Sequence, residues 1–340
     1  MKVVITGGCG FLGLGIARKV LENPDVDSLV LFDAQIPNKL PDALPDGLDG
    51  RARMMVGDIA DRDAVFGLID RDDIRVFHLA SVVSAGAEQD FDLAMRVNFD
   101  GGRNVLEALR ARKGTPRLVF ASSLAVFGGD GVAESVTDMT RLKPGTTYGM
   151  TKAVGELMIN DYTRKGFIDG RAARLPTVII RPGPPNKAAS GFASGVFREP
   201  LAGRECVLPV AMETRMMVIG ARAAVAGLIG LMEAPGGDNG GNLGGDRVVA
   251  LPNTAYSVRE MIEALERVAA EKGMTLGPIT PKPDSGPDAG IEAIVKSWPL
   301  AMDDTRARAL GLPADESLAA IVHEYIEDYM PEKENPNDGA

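Results

Sequence analysis

Short apolar runs alternate with amphipathic stretches through the first half of the chain. Residues 2–6, 28–33, 53–57, 76–79, 117–122 and 177–181 are mainly apolar and each has the length of a buried strand. Between most of them, residues 11–22, 62–70, 91–112 and 148–165 carry apolar positions at helical spacing. Apolar strands separated by helices predict a parallel sheet covered on both faces, because parallel neighbours need a crossover that packs on the sheet. Such crossovers are almost always right-handed, so the expected class is a doubly wound α/β fold.

The pattern changes after Pro182. Pro, Gly and Asn punctuate residues 182–186, 235–245 and 277–290, with helices expected at 193–201, 221–232, 257–272 and 317–329. This predicts a nucleotide-binding domain at residues 1–181 and a smaller α/β substrate lobe at 182–330, interleaved with it and packed over the carboxyl edge of the sheet. Residues 331–340 are polar, with two prolines and a glycine, and read as a flexible tail.

The first strand runs into Thr6-Gly7-Gly8-Cys9-Gly10-Phe11-Leu12-Gly13 and then into a helix. In this context the spacing G-x-x-G-x-x-G carries meaning. Gly7 permits a sharp turn, Gly10 lets backbone approach a pyrophosphate, and Gly13 lets helix and strand pack closely. The helix N-terminus offers free N–H groups and a positive dipole end, so Gly7, Gly10, Phe11 and Leu12 are candidate cofactor contacts. Asp33 ends the second strand twenty residues after Gly13. A carboxylate there accepts bonds from the adenosine ribose hydroxyls and repels the 2′-phosphate of NADP; Ala34-Gln35-Ile36 follows with no arginine, which selects NAD on a Rossmann-type sheet. Asp58, before Ile59, suits an adenine amino group and equally a cap for the helix from residue 62. Cys9 reads as a small filler between glycines.

Tyr148-Gly149-Met150-Thr151-Lys152 puts a phenol and an ammonium one turn apart on a helix face. A free tyrosine, with a pKa of about 10, is too weakly ionised to act as a base at neutral pH. A lysine cation beside it favours the phenolate, and can also bond the nicotinamide ribose. Ser122 and Ser123 end the preceding strand, where a hydroxyl can hold a substrate oxygen against Tyr148.

Composition narrows the alternatives. The net charge is −10 with no basic cluster, which argues against nucleic acid. No apolar run reaches the roughly 18 residues of a membrane span, and no cleavable leader precedes the first strand. Two cysteines and two histidines leave little for disulfides, a zinc site or a Ser-His-Asp triad, and a reduced cytoplasmic setting is expected. His78 reads as a strand-end residue.

Together, Thr6–Gly13, Asp33, Gly57-Asp58-Ile59, His78-Leu79-Ala80-Ser81, Asn98, the segment 122–128 and Tyr148–Lys152 resemble the extended short-chain dehydrogenase/reductase family across residues 1–330. The resemblance implies that Ser123 is the catalytic serine and that Leu79, Ala80 and Ser81 pass beneath the cofactor. It further implies that Asn98 orders that region, that Pro182 lies by the cofactor, and that residues 91–112 and 148–165 form a homodimer four-helix bundle. Phe127 stands where the family commonly has tyrosine.

Substrate choice falls to the second lobe. Nucleotide-sugar members of the family commonly carry Arg-Asp-aromatic-(Ile/Val)-His-Val-x-Asp before the helix starting here near Ala221. This chain has Arg215-Met216-Met217-Val218-Ile219-Gly220 instead. The segments 181–192, 198–203, 297–299 and 305–311 resemble a subgroup that oxidises the C2 hydroxyl of a four-carbon sugar acid, D-erythronate, with NAD. A small hydroxy acid needs a cation for its carboxylate, for which Lys187, Arg215 and Arg222 are candidates, each arginine being as well explained by a surface ion pair. Ser81, Ser84 and Asn186 are candidates for its hydroxyls, beside Ser123 and Tyr148. The alternatives are a nucleotide-sugar epimerase or dehydratase with retained NAD, and a non-catalytic dinucleotide sensor.

Overall fold

The computed structural model describes residues 1–36, 50–184, 188–236, 243–281 and 289–330. Its centre is a seven-stranded sheet in the order Val248–Ala250, Asp169–Leu175, Arg117–Ser123, Ile74–His78, Lys2–Thr6, Ser28–Asp33, Ala52–Val56. Every neighbouring pair is parallel. Thr6 is in register with Phe32 on one side and His78 on the other, so the carboxyl ends of three strands open together.

One face of the sheet is covered by helices Phe11–Leu21 and Ala221–Glu233, the other by Arg62–Leu68, Gly101–Arg110 and Thr147–Arg164. The lobe has its own core among helices Gly191–Leu201, Val258–Glu271 and Leu318–Tyr329. A smaller cluster of Val126, Phe127, Met217 and Met302, with Trp298 against it, joins lobe and sheet beneath the loop that follows Arg117–Ser123.

Two expectations are corrected. Residues 177–181 do not form a strand of the main sheet. Thr177–Ile179 instead pairs with Arg215–Gly220 in a three-stranded lobe sheet completed by Thr254–Ser257. Pro176, which has no N–H to donate, stands between the two ladders. Two strands of the sheet were not expected: Val248–Ala250, which comes from the segment assigned to the lobe, and, beside it, Asp169–Leu175. Its sequence, DGRAARL, is no apolar run, yet Arg171 and Arg174 are buried there because each has a carboxylate partner, Asp169 and Glu156. Similarly, the stretch 91–112 is helical but not one regular helix. Phe91–Ala94 passes through a wider π-helical segment, Met95–Asp100, into Gly101–Arg110. Such segments re-aim side chains, and this one carries Arg96 and Asn98.

Among the described residues no helix is long and apolar enough to cross a membrane, and no cluster of His, Cys, Asp and Glu could hold a metal. Cys9 and Cys206 are both free.

Candidate active site

A cavity of about 920 Å³ runs along the carboxyl ends of the strands. At one end lie Gly7, Gly10, Phe11, Leu12 and Asp33, with Asp58 and Ile59 beyond the end of the neighbouring strand. Gly7 has φ +68°, and a Cβ there would stand 2.8 Å from the Ala80 nitrogen, so only glycine lets the loop lie on the segment after Ile74–His78. Helix Phe11–Leu21 has no side-chain cap at Gly10, so its first N–H groups are left for a ligand anion.

Asp33 accepts a bond from the Cys9 backbone N–H at 3.1 Å, which ties the glycine loop to the strand end. Burial, with Asp33 adding to it, pushes the Cys9 thiol up to about 11, so it is no ready nucleophile. The cap reading of Asp58 is overturned: Asp61 caps helix Arg62–Leu68 through the N–H groups of Asp63 and Ala64. Asp58 instead accepts from the Ala60 N–H and pairs with Arg96, which together hold its carboxyl below the usual range.

Leu79, Ala80 and Ser81 line the cavity floor. The Thr6 hydroxyl sits 2.7 Å from His78 Nδ1 and accepts from the Ala80 N–H at 3.4 Å. Burial and the nearby Lys152 hold His78 down at about 3, so it stays neutral. Asn98 does not line the cavity. Its amide is spent on both backbone groups of Val82, at 2.7 and 3.0 Å, and on the Thr151 hydroxyl. Pro182 does not line it either.

The other end holds Ser123, Tyr148 and Lys152. Helix Thr147–Arg164 starts under a Thr146 cap, and its first turn lies hard against the loop after Ser123. A Cβ on Gly149 would stand 2.0 Å from the Ala125 carbonyl oxygen, so glycine permits the approach that brings Tyr148 to Ser123. Burial raises the Tyr148 pKa, while the bond from the Ser123 hydroxyl and the charge of Arg181 oppose the rise. Lys152 donates to the Ala121 carbonyl at 2.7 Å, with its Nζ 5.4 Å from the Tyr148 ring centroid. Burial depresses it to about 7, against the pull of Glu156. A phenol, a serine hydroxyl and a lysine of variable charge at the end of a dinucleotide-sized cavity can move a proton to or from a bound carbinol.

The candidates for the substrate divide. Ser81 and Ser84 line the cavity, although Ser84 also accepts from the Ala189 N–H at 3.1 Å. Asn186 and Lys187 lie outside the described residues. Arg215 and Arg222 are not on the cavity. Arg215 pairs with Glu260 at 3.1 Å and Arg222 with Asp328 at 2.7 Å, both on the exposed surface. Besides Lys152, and Arg96, which pairs with Asp58, the cavity is lined by the cation of Arg181. Its guanidinium donates to the Val178 carbonyl and the Ser190 hydroxyl, lies 6.0 Å from the Phe11 ring centroid, and has no carboxylate partner among the described residues. Its position at the end of an apolar run was the available signal, since α/β folds place ligand contacts just beyond strand ends. Trp298, the single tryptophan, lines the same end of the cavity from the lobe.

Comparison with known proteins gives this arrangement its relatives. The model of the NAD dependent epimerase/dehydratase family matches residues 3–241. The chain is 44% identical to D-erythronate dehydrogenase of Cupriavidus necator, over 96% of this chain and 98% of that one. It is 39% identical to the protein of the same name from Haemophilus influenzae, over 96% and 99%. A crystal structure described as a nucleoside-diphosphate-sugar epimerase, from Agrobacterium tumefaciens, superposes with a TM-score of 0.84 at 35% identity, covering 97% of this chain and 94% of that one. With a family match across most of its length and relatives of this closeness, the chain belongs to the NAD dependent epimerase/dehydratase family, and its cofactor is NAD.

Proposed function

We propose that the protein oxidises the C2 hydroxyl of D-erythronate, or of a closely similar small sugar acid, to the 2-oxo acid. The observation that carries this reading is the half-buried Arg181 facing Tyr148, with no carboxylate partner among the described residues. A cation held beside the proton acceptor suits a substrate whose carboxylate adjoins the reacting carbinol. The names of the Cupriavidus and Haemophilus relatives point the same way.

In this reading Gly7, Gly10, Phe11, Leu12 and Leu79–Ser81 hold the dinucleotide, and Asp33 takes the adenosine ribose. Asp58 and Ile59 flank the adenine, and Asn98 acts indirectly by fixing Val82. When bound, NAD supplies the acceptor for the C2 hydride. Tyr148 takes the hydroxyl proton as its phenolate, Lys152 stabilises that anion, and Ser123 fixes the carbinol oxygen so that proton and hydride leave in line. Ser81 and Ser84 reach the remaining hydroxyls. Asp33 would cost NADP several kcal/mol through an unpaired charge against its 2′-phosphate, so NADP should serve poorly.

We further propose a homodimer through residues 91–110 and helix Thr147–Arg164, where Phe91 and Leu157 are 56% and 63% exposed. Light scattering that reports a monomer at micromolar concentration would remove this. The free thiols of Cys9 and Cys206 suit a reducing, cytoplasmic compartment.

The second reading, a nucleotide-sugar epimerase or dehydratase, draws on the description of the Agrobacterium structure. One assay separates the two. Enzyme mixed with NAD and D-erythronate should produce NADH continuously. Absence of NADH with any four-carbon sugar acid, together with NAD retained through purification, would favour the epimerase reading.

A further inference from the structure

The lobe helix Gly191–Leu201 packs its apolar side chains, Ala193, Val196, Phe197 and Leu201, into the lobe core. A second stripe on the same helix is polar and just as deeply buried. Ser190, Ser194 and Arg198 recur every four residues, the spacing that shares a helix face, and are 7%, 1% and 6% exposed. Buried polar groups need partners, and all three find theirs on one residue. The Ser190 hydroxyl accepts from Arg181 Nη2 at 3.3 Å. The Ser194 hydroxyl accepts from the Arg181 backbone N–H at 3.1 Å, and Arg198 Nη1 donates to the Arg181 carbonyl, also at 3.1 Å.

These groups pass over local alternatives to hold Arg181. A serine just before a helix ordinarily caps its first N–H groups, yet Ser190 makes no cap bond. Arg198 spends its charge on Glu199 through Nε and Nη2, at 2.8 and 2.6 Å, which leaves Nη1 for the Arg181 carbonyl. Arg181 itself meets neutral acceptors: Ser190, and the Val178 carbonyl, which takes its Nε at 3.1 Å. Its Nη1 has no hydrogen-bond partner among the described residues, and the side chain lines the cavity. Backbone and one edge of the guanidinium are thus fixed, with the rest of the fork unspent. A long side chain must be ordered before its fork can meet a carboxylate, and ordering it in advance removes that cost from binding.

We infer that Ser190, Ser194 and Arg198 are positioning residues that hold Arg181 ready for the substrate carboxylate, so that one face of a lobe helix sets the affinity for the acid. The inference rests on Arg181 meeting that carboxylate, as proposed above. Ser190 also lines the cavity, so a direct contact between its hydroxyl and the acid is the competing account.

The test is a double-mutant cycle read in steady-state NADH formation from D-erythronate. Ser190→Ala and Ser194→Ala should each raise the KM for the acid about three- to tenfold, the worth of one hydrogen bond, with kcat and the KM for NAD within about twofold of wild type. In an Arg181→Met background the same two changes should move the KM for the acid by less than about twofold, because no guanidinium is left to orient. A serine that merely supports the lobe would act equally in both backgrounds. One that touches the acid itself would keep its effect after Arg181 is gone. Either result overturns the inference, as does an unchanged KM in the single variants. If Ser194→Ala does not fold, because it strands a buried N–H, the Ser190 arm decides alone. A wild-type KM in Arg181→Met, or no turnover of the acid by the wild-type enzyme, removes the carboxylate reading and the clamp together. A raised KM in Arg181→Met with serine effects that simply add removes the clamp alone.

Discussion

Gly149→Ala puts the packing between the two catalytic segments under direct strain. The added methyl would lie 2.0 Å from the Ala125 carbonyl oxygen and 3.0 Å from the Pro144 side chain, where ordinary contacts fall between 3.4 and 4 Å. The first turn of helix Thr147–Arg164 must then retreat by roughly 1 Å or more from the loop after Ser123, carrying Tyr148 with it. Overpacking of this kind costs about 1–3 kcal/mol, against which alanine regains up to about 1 kcal/mol of helix propensity. The net loss is on the order of 1–2 kcal/mol, visible as a fall of a few degrees in the thermal midpoint. Turnover should suffer more than stability, because a misplacement of about 1 Å between reacting groups can cost on the order of 10²-fold. Gly67 is the control: it is exposed in helix Arg62–Leu68 with nothing within 4 Å of its would-be Cβ, so Gly67→Ala should gain about 0.5–1 kcal/mol and leave turnover alone. Steady-state NADH formation from D-erythronate at saturating NAD, alongside thermal melts, reads both effects. A Gly149→Ala enzyme with the turnover and midpoint of the wild type would refute the claim that this contact sets the Ser123–Tyr148 geometry.

Three further outcomes are expected. Tyr148→Phe should lose about 10²–10⁴-fold in kcat while calorimetry shows NAD binding unchanged; wild-type turnover would remove the phenol from the chemistry. Arg181→Met should raise KM for the sugar acid by roughly ten- to a hundredfold, the worth of a charge-assisted bond, with the KM for NAD nearly unchanged. A variant with an unaltered KM would send the search for the carboxylate's partner back to Lys187. The last concerns pH. Burial holds Lys152 at about 7 in the folded protein, whereas a free lysine titrates near 10.4. Between those values the unfolded chain binds the extra proton, so this group makes stability of the apoprotein rise as pH climbs from about 7 toward 10. Lys152→Met should flatten that part of the denaturation profile, and an unchanged slope would contradict the depressed pKa.

The cofactor end of the site was legible in the linear chain because its logic is local. A turn with a positive φ, a close backbone approach and an open helix start are all made by neighbours within one strand–loop–helix unit, so Gly7 to Gly13 declared themselves. Tyr148 and Lys152 did so for the same reason, since one turn of helix fixes their relation. Asp58 shows where that logic thins. Cap and ligand contact have the same local sequence, and only Asp61 taking the helix N–H groups separated them.

What depended on distant partners was not legible. A strand containing Arg171 and Arg174 carries no apolar signature, and its place inside the sheet follows from carboxylates that satisfy the guanidiniums there; Arg174 finds Glu156 eighteen residues away. For Arg215 and Arg222 the sequence left anion ligand and surface ion pair level, and the fold chose the ion pair by bringing up Glu260 and Asp328, 45 and 106 residues along, while Arg181 was left facing the cavity. Local sequence thus determined the sheet class, the glycine turn and the placing of Tyr148 beside Lys152, because short-range geometry dictates them. Tertiary structure alone decided which of these arginines faces the cavity, because a charge is spent or free according to neighbours that only the folded chain supplies.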